Sequence, residues 1–178
     1  MLVSHDNLAG LIQSTGLCDP GLFDDFSINI RLDSQIIRMK DRSLRHRQII
    51  YGRPYNSGEH FEALTRVQRD LPLKPGDRVL ACSADDYRMP NGYLGLVQTK
   101  GSLARLFISA TCNDAQVEPG YEGRITLELM NLGNSDVIIP VHSVVAQLFI
   151  LRCSTETAAP YSGRYQGATG PTLARFPE

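Results

Sequence analysis

The pattern of apolar and polar positions predicts one short helix at the start of the chain. The apolar residues that recur there at helical spacing are Leu8, Leu11 and Ile12. Ser4 or Asp6 can cap the first turn, and Gly16 can end the helix. We therefore expect a short amphipathic helix between these limits.

The following residues show the alternation of half-buried strands. Around residues 26 to 32, the positions assigned to the buried face are Phe26, Ile28, Ile30 and Leu32. Further predicted strands lie in LPLKPGDRVLACS, GYLGLVQTKG, ARLFISATC, GRITLELMN and DVIIPVHSVVAQLFIL. Because Gly, Pro, Asn and Asp turns separate them, the pattern favours a β-sandwich or barrel over a parallel α/β sheet.

Two segments lack this regularity. Residues 40–70 are polar and weakly periodic, and their basic run (Arg42, Arg45, His46 and Arg47) fits a solvated loop better than a phosphate or nucleic-acid contact. The last stretch, about 158–178, is rich in glycine and proline and predicts a flexible C-terminal arm. We expect one domain over residues 1–178, since no linker or repeat divides the chain.

Composition narrows the possible functions. The formal net charge is −1, so neither a nucleic acid nor a membrane is an expected partner. No run of apolar residues is long enough to span a bilayer, and the N-terminus lacks a signal-peptide pattern, which predicts a soluble cytoplasmic protein. The cysteines (Cys18, Cys82, Cys112 and Cys153) form no C-x-x-C pair and are expected to be reduced and mostly buried. The H-x-E and P-C-x-x-C motifs of zinc-dependent nucleobase deaminases are absent.

The stretch TKGSLARLF combines small residues with basic ones. Gly101 permits a tight turn, Ser102 offers a hydroxyl, and the positive charges come from Lys100 and Arg105. Turn amides beside a hydroxyl and a guanidinium can bind an anion. Taken alone, the same residues more often form a turn that only joins two strands.

Carboxylates mark two further candidates. Glu128 alternates with Ile125 and Leu127 in the predicted strand GRITLELMN, where a rigidly held carboxylate can act as a general base. By pattern alone, an ordinary solvent-facing glutamate is the favoured interpretation. In VEPGYEG, Glu118 offers a second carboxylate, and the ring of Tyr121 can pack on a sugar or on the core.

Together these motifs resemble those of the dCTP deaminase and dUTPase superfamily. The similarity follows KGSLARL, VEPGYEGRITLELMN and VVAQLF in order, with DFSINIRLD before them and YQGATGPTLARF after them. It covers nearly the whole chain and is closest to the dCTP deaminase branch.

The resemblance implies a mainly β fold, a distorted β-barrel of jelly-roll type, that assembles as a homotrimer with active sites between subunits. It implies zinc-independent deamination of dCTP, bound as its magnesium complex, with Glu128 as general base. The implied phosphate contacts are Lys100, Gly101, Ser102, Arg105 and Gln147. The implied sugar or base contacts are Glu118, Tyr121, Ile125 and Thr126. In the arm, the implied contacts are Tyr161, Arg164 and Tyr165, and no residue is expected to bind a metal directly.

The chain also departs from the pattern of that branch. Gly101 replaces a serine that helps to hold the attacking water, and Glu118 replaces an aspartate. Asp114-Ala115 stands where alanine-histidine is usual, and Ala168-Thr169 stands where the arm has Gln-Arg. We expect a dCTP deaminase that forms dUTP and ammonia. The alternatives are a dUTP diphosphatase, a bifunctional deaminase-diphosphatase, and a nucleotide-binding regulator with weakened catalysis. The sequence leaves open the preferred base and any inhibition by dTTP.

Overall fold

Strands dominate the structure, a computed structural model that describes residues 1–40, 48–156 and 159–176. In chain order, the first elements are β1 (Leu2–Val3), α1 (His5–Thr15), a 3-10 turn (Pro20–Leu22), β2 (Phe23–Asp24), β3 (Ser27–Arg31), β4 (Gln35–Arg38), α2 (Ser57–His60) and β5 (Thr65–Arg66). They are followed by β6 (Asp70–Leu73), β7 (Arg78–Cys82), β8 (Tyr87–Arg88), β9 (Tyr93–Thr99), α3 (Gly101–Ala104) and β10 (Ile108–Ser109). The last are β11 (Gln116–Val117), β12 (Glu122–Gly123), β13 (Thr126–Asn131), β14 (Val137–Pro140) and β15 (Val144–Arg152).

The N-terminal helix has the predicted limits. Ser4 is the N-cap of α1, and Gly16 ends the helix in the left-handed conformation (φ 65°), which a residue without Cβ adopts at little cost. The apolar face of α1 is buried through Leu8, Leu11 and Ile12. The periodicity of the sequence therefore placed this helix correctly.

Two antiparallel sheets form the body of the molecule. One has the order β11-β9-β15-β3-β2, with β1 paired to β15, and the other has the order β10-β13-β7-β4-β5. Two smaller pairs, β12 with β8 and β14 with β6, complete the pairing of named strands. Apolar side chains from both sheets share one core with α1. The predicted mainly β, jelly-roll-like fold is confirmed, although the sheets of the described residues do not close into a barrel.

The prediction for Phe26 is wrong. Its side chain is 53% exposed, whereas Ile28, Ile30 and Leu32 are fully buried. Asp25 has a φ of 41°, so the chain turns between β2 and β3 and the alternation begins only after Phe26. The Phe26 ring instead packs edge-on against His5, with ring centroids 4.5 Å apart.

The strand predicted in ARLFISATC is also largely wrong. Only Ile108–Ser109 is a strand, because α3 occupies residues 101–104 and Phe107 has a φ of 59°. The turn leaves Leu106 and Phe107 exposed. Local turn geometry therefore overrides the apolar pattern here.

The remaining expectations have mixed outcomes. All four cysteines are free thiols, but only Cys18 and Cys82 are buried; Cys112 is exposed and Cys153 is partly buried. The basic run at 42–47 lies outside the described residues. Within the part of the chain that the structure describes, no helix is long and apolar enough to cross a membrane.

Candidate functional site

Strand β13 positions Glu128. This strand pairs with β7, where Glu128 lies opposite Leu80, and its flanking residues Leu127 and Leu129 are buried. Thr126 and Glu128 point to the other face and are partly exposed. The predicted alternation is confirmed, and the carboxylate lies on a rigid element rather than on a loop.

Two backbone amides hold the Glu128 carboxylate. The N–H of Asn113 donates to Oε2 over 2.7 Å, and the N–H of Asp114 donates to the same atom over 3.3 Å. The Cys112 N–H donates to the Glu128 carbonyl oxygen over 3.3 Å, so the segment is tied to the strand as well. Both described amide bonds fall on Oε2, which leaves Oε1 as the atom able to accept a proton.

Glu128 lies in the wall of a cleft of about 510 Å³. Of the residues implied for the sugar and base, all four line the same cleft: Glu118, Tyr121, Ile125 and Thr126. Asp114 adds a third carboxylate, and Arg78 supplies the one positively charged side chain among the described lining residues. The cleft is therefore suited to a neutral or protonated ring rather than to a chain of phosphates.

Tyr121 belongs to the core as much as to the cleft. It is 8% exposed, and its hydroxyl donates to the Arg124 carbonyl oxygen over 2.5 Å. Burial raises the pKa of the Tyr121 phenol, and Tyr161 raises it further. The hydroxyl therefore stays protonated at neutral pH, with its proton donated to the backbone.

The C-terminal arm is docked through its backbone on the turn VEPGYEG, residues 117–123, which we call the acidic turn. The Arg124 N–H donates to the Ala168 carbonyl over 2.7 Å, and the Gly167 N–H donates to the Glu122 carbonyl over 2.8 Å. Gly123 makes this approach possible, since a Cβ on it would lie 2.7 Å from the Ala168 nitrogen. The structure shows the arm in this docked position, and its mobility stays a prediction.

Two of the three predicted arm residues reach the cleft. Tyr161 and Tyr165 line it, and the Tyr161 ring packs edge-on against Tyr121 with centroids 5.7 Å apart. Arg164 points elsewhere and donates to the carbonyl oxygen of Arg175. Thr172, which the motifs did not single out, joins the cleft wall and bonds to the Thr126 hydroxyl.

The five predicted phosphate contacts lie apart from this cleft. Among the described residues that line it, none is Lys100, Gly101, Ser102, Arg105 or Gln147. Lys100 forms an ion pair with Asp24 over 3.3 Å, and Gln147 donates to the same Asp24 oxygen over 3.1 Å. Within one chain the structure therefore gives two separate groups of candidate residues.

The rest of the phosphate group is a surface turn. Gly101, Ser102 and Arg105 are exposed, and an Arg105 guanidinium N–H donates to the Gly101 carbonyl over 2.9 Å. A Cβ on Gly101 would lie 3.1 Å from that guanidinium nitrogen. Arg105 therefore lies over the turn with one guanidinium N–H bonded to its backbone, while the side chain stays exposed.

Several residues of the site carried no sequence signal. The Asn113 amide acts through the backbone, and Asp24 meets Lys100 only because β2 and β9 belong to one sheet. Phe61 and Arg78 enter the cleft from distant positions in the chain. Sequence motifs record which side chains stand near one another along the chain. They give no information about backbone contacts or about contacts between distant residues.

Comparisons with known proteins agree with the motif series. A family model described as dCTP deaminase-like matches residues 4–153. The dUMP-forming dCTP deaminase of Salinispora arenicola is 30% identical over 186 residues, which cover 98% of this chain and 94% of that enzyme. The enzyme of the same name from Mycobacterium avium is 29% identical, with coverage of 98% and 95%.

A solved structure shares the fold. The 2'-deoxycytidine 5'-triphosphate deaminase of Agrobacterium tumefaciens superposes with a TM-score of 0.75 over 87% of this chain, at 15% sequence identity. The match spans 49% of that longer chain. At this identity the likeness concerns the fold alone.

Proposed function

Because the chain belongs to the dCTP deaminase-like family, we propose that it deaminates dCTP and releases dUMP as the final nucleotide. The observation that carries the proposal is Glu128, held by two amides in a cleft large enough for a nucleoside. The relatives are named dUMP-forming. These names disagree with our expectation that dUTP is the end product. They favour the alternative of a bifunctional deaminase-diphosphatase.

The first reaction is hydrolysis at C4 of the cytosine ring. Glu128 Oε1 takes a proton from water as the water oxygen adds to C4, and the proton passes to N3. The carboxylate then moves the second water proton to the amino group, the C4–N bond breaks, and ammonia leaves. The ring becomes uracil, and the net reaction consumes one water molecule.

The second reaction is hydrolysis of the phosphate chain. A water molecule adds to the α-phosphorus of the resulting dUTP and releases a proton to the solvent. The bond between that phosphorus and the oxygen that bridges to the β-phosphate breaks, so pyrophosphate leaves and dUMP remains. The acidic turn with Glu118 is the candidate for orienting this water, since it lies in the same cleft as Glu128. We take the substrate to be the magnesium complex of dCTP, because the metal offsets the charge of the triphosphate.

A homotrimer would unite the two groups of candidate residues. The acids of the cleft and the exposed turn at 101–105 are separate within one chain. A site built between subunits, as the family resemblance implies, would supply Arg105 and Ser102 of one copy to the cleft of another. Sedimentation or light scattering would measure the predicted assembly directly.

The decisive experiment follows all products of one incubation. Protein, magnesium and dCTP are combined, and ammonia, dUTP, dUMP and pyrophosphate are quantified over time. Equal amounts of ammonia, dUMP and pyrophosphate are expected. Accumulation of dUTP with ammonia would restore the simple deaminase, while binding of dCTP without any product would favour the regulatory alternative.

A further inference from the structure

Asp24 makes contacts that a phosphate oxygen would make. A single carboxylate oxygen, Oδ2, lies 3.3 Å from the Lys100 ammonium and accepts a 3.1 Å hydrogen bond from the Gln147 amide. Both partners are residues for which the family resemblance implies phosphate contact. The Oδ2 atom of Asp24 therefore contacts two of the five residues implied to bind phosphate.

The neighbouring strands build this arrangement. Asp24 ends β2, Gln147 lies within β15, and Lys100 follows β9, with β3 between β2 and β15 in the same sheet. Ser27 accepts a second bond from the Gln147 amide over 2.9 Å, which fixes the amide in place. Asn29 lies 3.5 Å from the Lys100 ammonium and adds a weak polar contact.

We propose that Asp24 is an internal anion that occupies the place of a substrate phosphate between Lys100 and Gln147, and so sets how strongly phosphate chains bind. This proposal rests on the proposed function, because it treats the two residues as phosphate contacts. The Asp24 side chain is 44% exposed, so it has room to turn into solvent when a ligand enters. Its negative charge opposes a second anion at short range.

The expected consequence depends on ligand charge. A nucleoside carries no phosphate and does not compete with Asp24, whereas each added phosphate meets more repulsion. The same competition would help a cleaved pyrophosphate to leave. Asp24 would thus weaken binding of both dCTP and pyrophosphate without affecting contacts to the base.

Asp24→Asn tests the idea, with Asp25→Asn as the matched control. Asparagine keeps the shape and an oxygen acceptor for the Lys100 and Gln147 donors, while it removes the charge. Asp25 is the adjacent exposed carboxylate, with no ion pair among the described residues, and asparagine tolerates its φ of 41°. Calorimetric titration in EDTA buffer would compare inorganic pyrophosphate, dCTP and deoxycytidine.

We expect Asp24→Asn to bind pyrophosphate and dCTP about threefold to tenfold more tightly, because the substitution removes a partly exposed like charge. Deoxycytidine affinity should stay unchanged, the gain should shrink in high salt, and Asp25→Asn should show no gain. In a Lys100→Met background the gain should become smaller, because Asp24 then no longer competes with the ligand for the Lys100 ammonium.

Unchanged or weaker pyrophosphate binding by Asp24→Asn would overturn the proposal, since Asp24 would then only position its neighbours. Tighter pyrophosphate binding together with no dCTP turnover in the unsubstituted protein would have a different meaning. That pair of results would remove the proposed function while the role of Asp24 as a competing anion stands.

Discussion

The hydroxyl oxygens of Thr126 and Thr172 lie 2.9 Å apart. Thr126 begins the strand that carries Glu128, and Thr172 belongs to the C-terminal arm. The Thr172 N–H also donates to the Thr126 hydroxyl oxygen over 3.2 Å. This pair connects the docked arm directly to the strand that positions the candidate base.

Thr172→Val should loosen the arm. The substitution keeps the shape but removes one hydrogen bond, which is typically worth about 0.5–1.5 kcal/mol. The amides of residues 161–172 should exchange with deuterium about twofold to tenfold faster. Thr169→Val is the control, because the Thr169 hydroxyl has no hydrogen-bond partner among the described residues and only its carbonyl is used. Equal exchange in both variants would contradict this role.

Gly123→Ala should displace the arm from the acidic turn. Gly123 has a φ of 133°, and its added Cβ would lie 2.7 Å from the Ala168 nitrogen and 2.9 Å from the Ala168 oxygen. Backbone strain of this kind costs about 1–3 kcal/mol. We expect faster proteolysis of the arm and lower turnover of dCTP.

Gly76→Ala provides the matched control for backbone strain. Gly76 has a φ of 81°, with nothing within 4 Å of an added Cβ, and its N–H donates to the Asn131 carbonyl rather than to the arm. It should lower the free energy of unfolding but leave arm proteolysis and turnover unchanged. If Gly76→Ala slowed turnover as much as Gly123→Ala, the loss would reflect stability rather than arm docking.

Glu128→Gln should abolish turnover while binding remains. The glutamine oxygen can still accept from the Asn113 and Asp114 amides, but the side chain cannot take a proton from water. Loss of a general base lowers rate by about 10²–10⁴-fold. Ammonia release and calorimetric binding of dCTP would separate the two effects. Glu122→Gln, an exposed side chain on β12, should retain full activity. Substantial turnover by Glu128→Gln would exclude Glu128 as the base.

Alkaline pH should destabilise the fold through its buried thiols. Burial raises the pKa of Cys82 from 9.0 to about 11 and that of Cys18 from 9.0 to about 12. Above pH 9 the unfolded thiols ionise first, so the unfolded state binds fewer protons and the free energy of unfolding falls as pH rises. The stabilisation that the two protonated thiols give to the folded state is fully present below pH 9. It is lost as the pH rises through their pKa values in the folded protein.

Urea unfolding at pH 8 and pH 10 would measure that loss. Two thiols should together lower the free energy of unfolding by about 3 kcal/mol between these pH values. A thiol reagent at pH 8 should modify exposed Cys112 first and spare Cys18 and Cys82 until the chain unfolds. Rapid labelling of Cys82 in the folded protein would contradict the burial on which the prediction depends.

Local pattern was sufficient for the helix and for most strands. Leu8 and Ile12 share a helix face by spacing alone, and Leu127 and Leu129 share a strand face for the same reason. The local pattern gave wrong strand predictions where single residues adopt positive φ, at Asp25 before β3 and at Phe107 after α3. Side-chain type gives little warning of that geometry in a non-glycine residue.

The sequence predicted which residues belong to the candidate site but not how they are arranged in space. The motifs identified Glu128 and Glu118, which do line one cleft. They could not show that Asp24 pairs with Lys100, because that contact joins residues 76 positions apart in the sequence. The orientation of Arg105 was equally inaccessible, since a rotamer depends on neighbours that only the folded chain supplies.

The backbone pairing of Gly123 with Ala168 has a consequence for how this protein can diverge. The arm is attached through peptide N–H and carbonyl groups, such as the Arg124 N–H and the Ala168 carbonyl. Any L-residue at 168 or 169 presents the same carbonyl, so substitutions there leave the attachment intact. The side chains at these two positions can therefore change during evolution while the arm stays attached, provided that Gly123 stays a glycine.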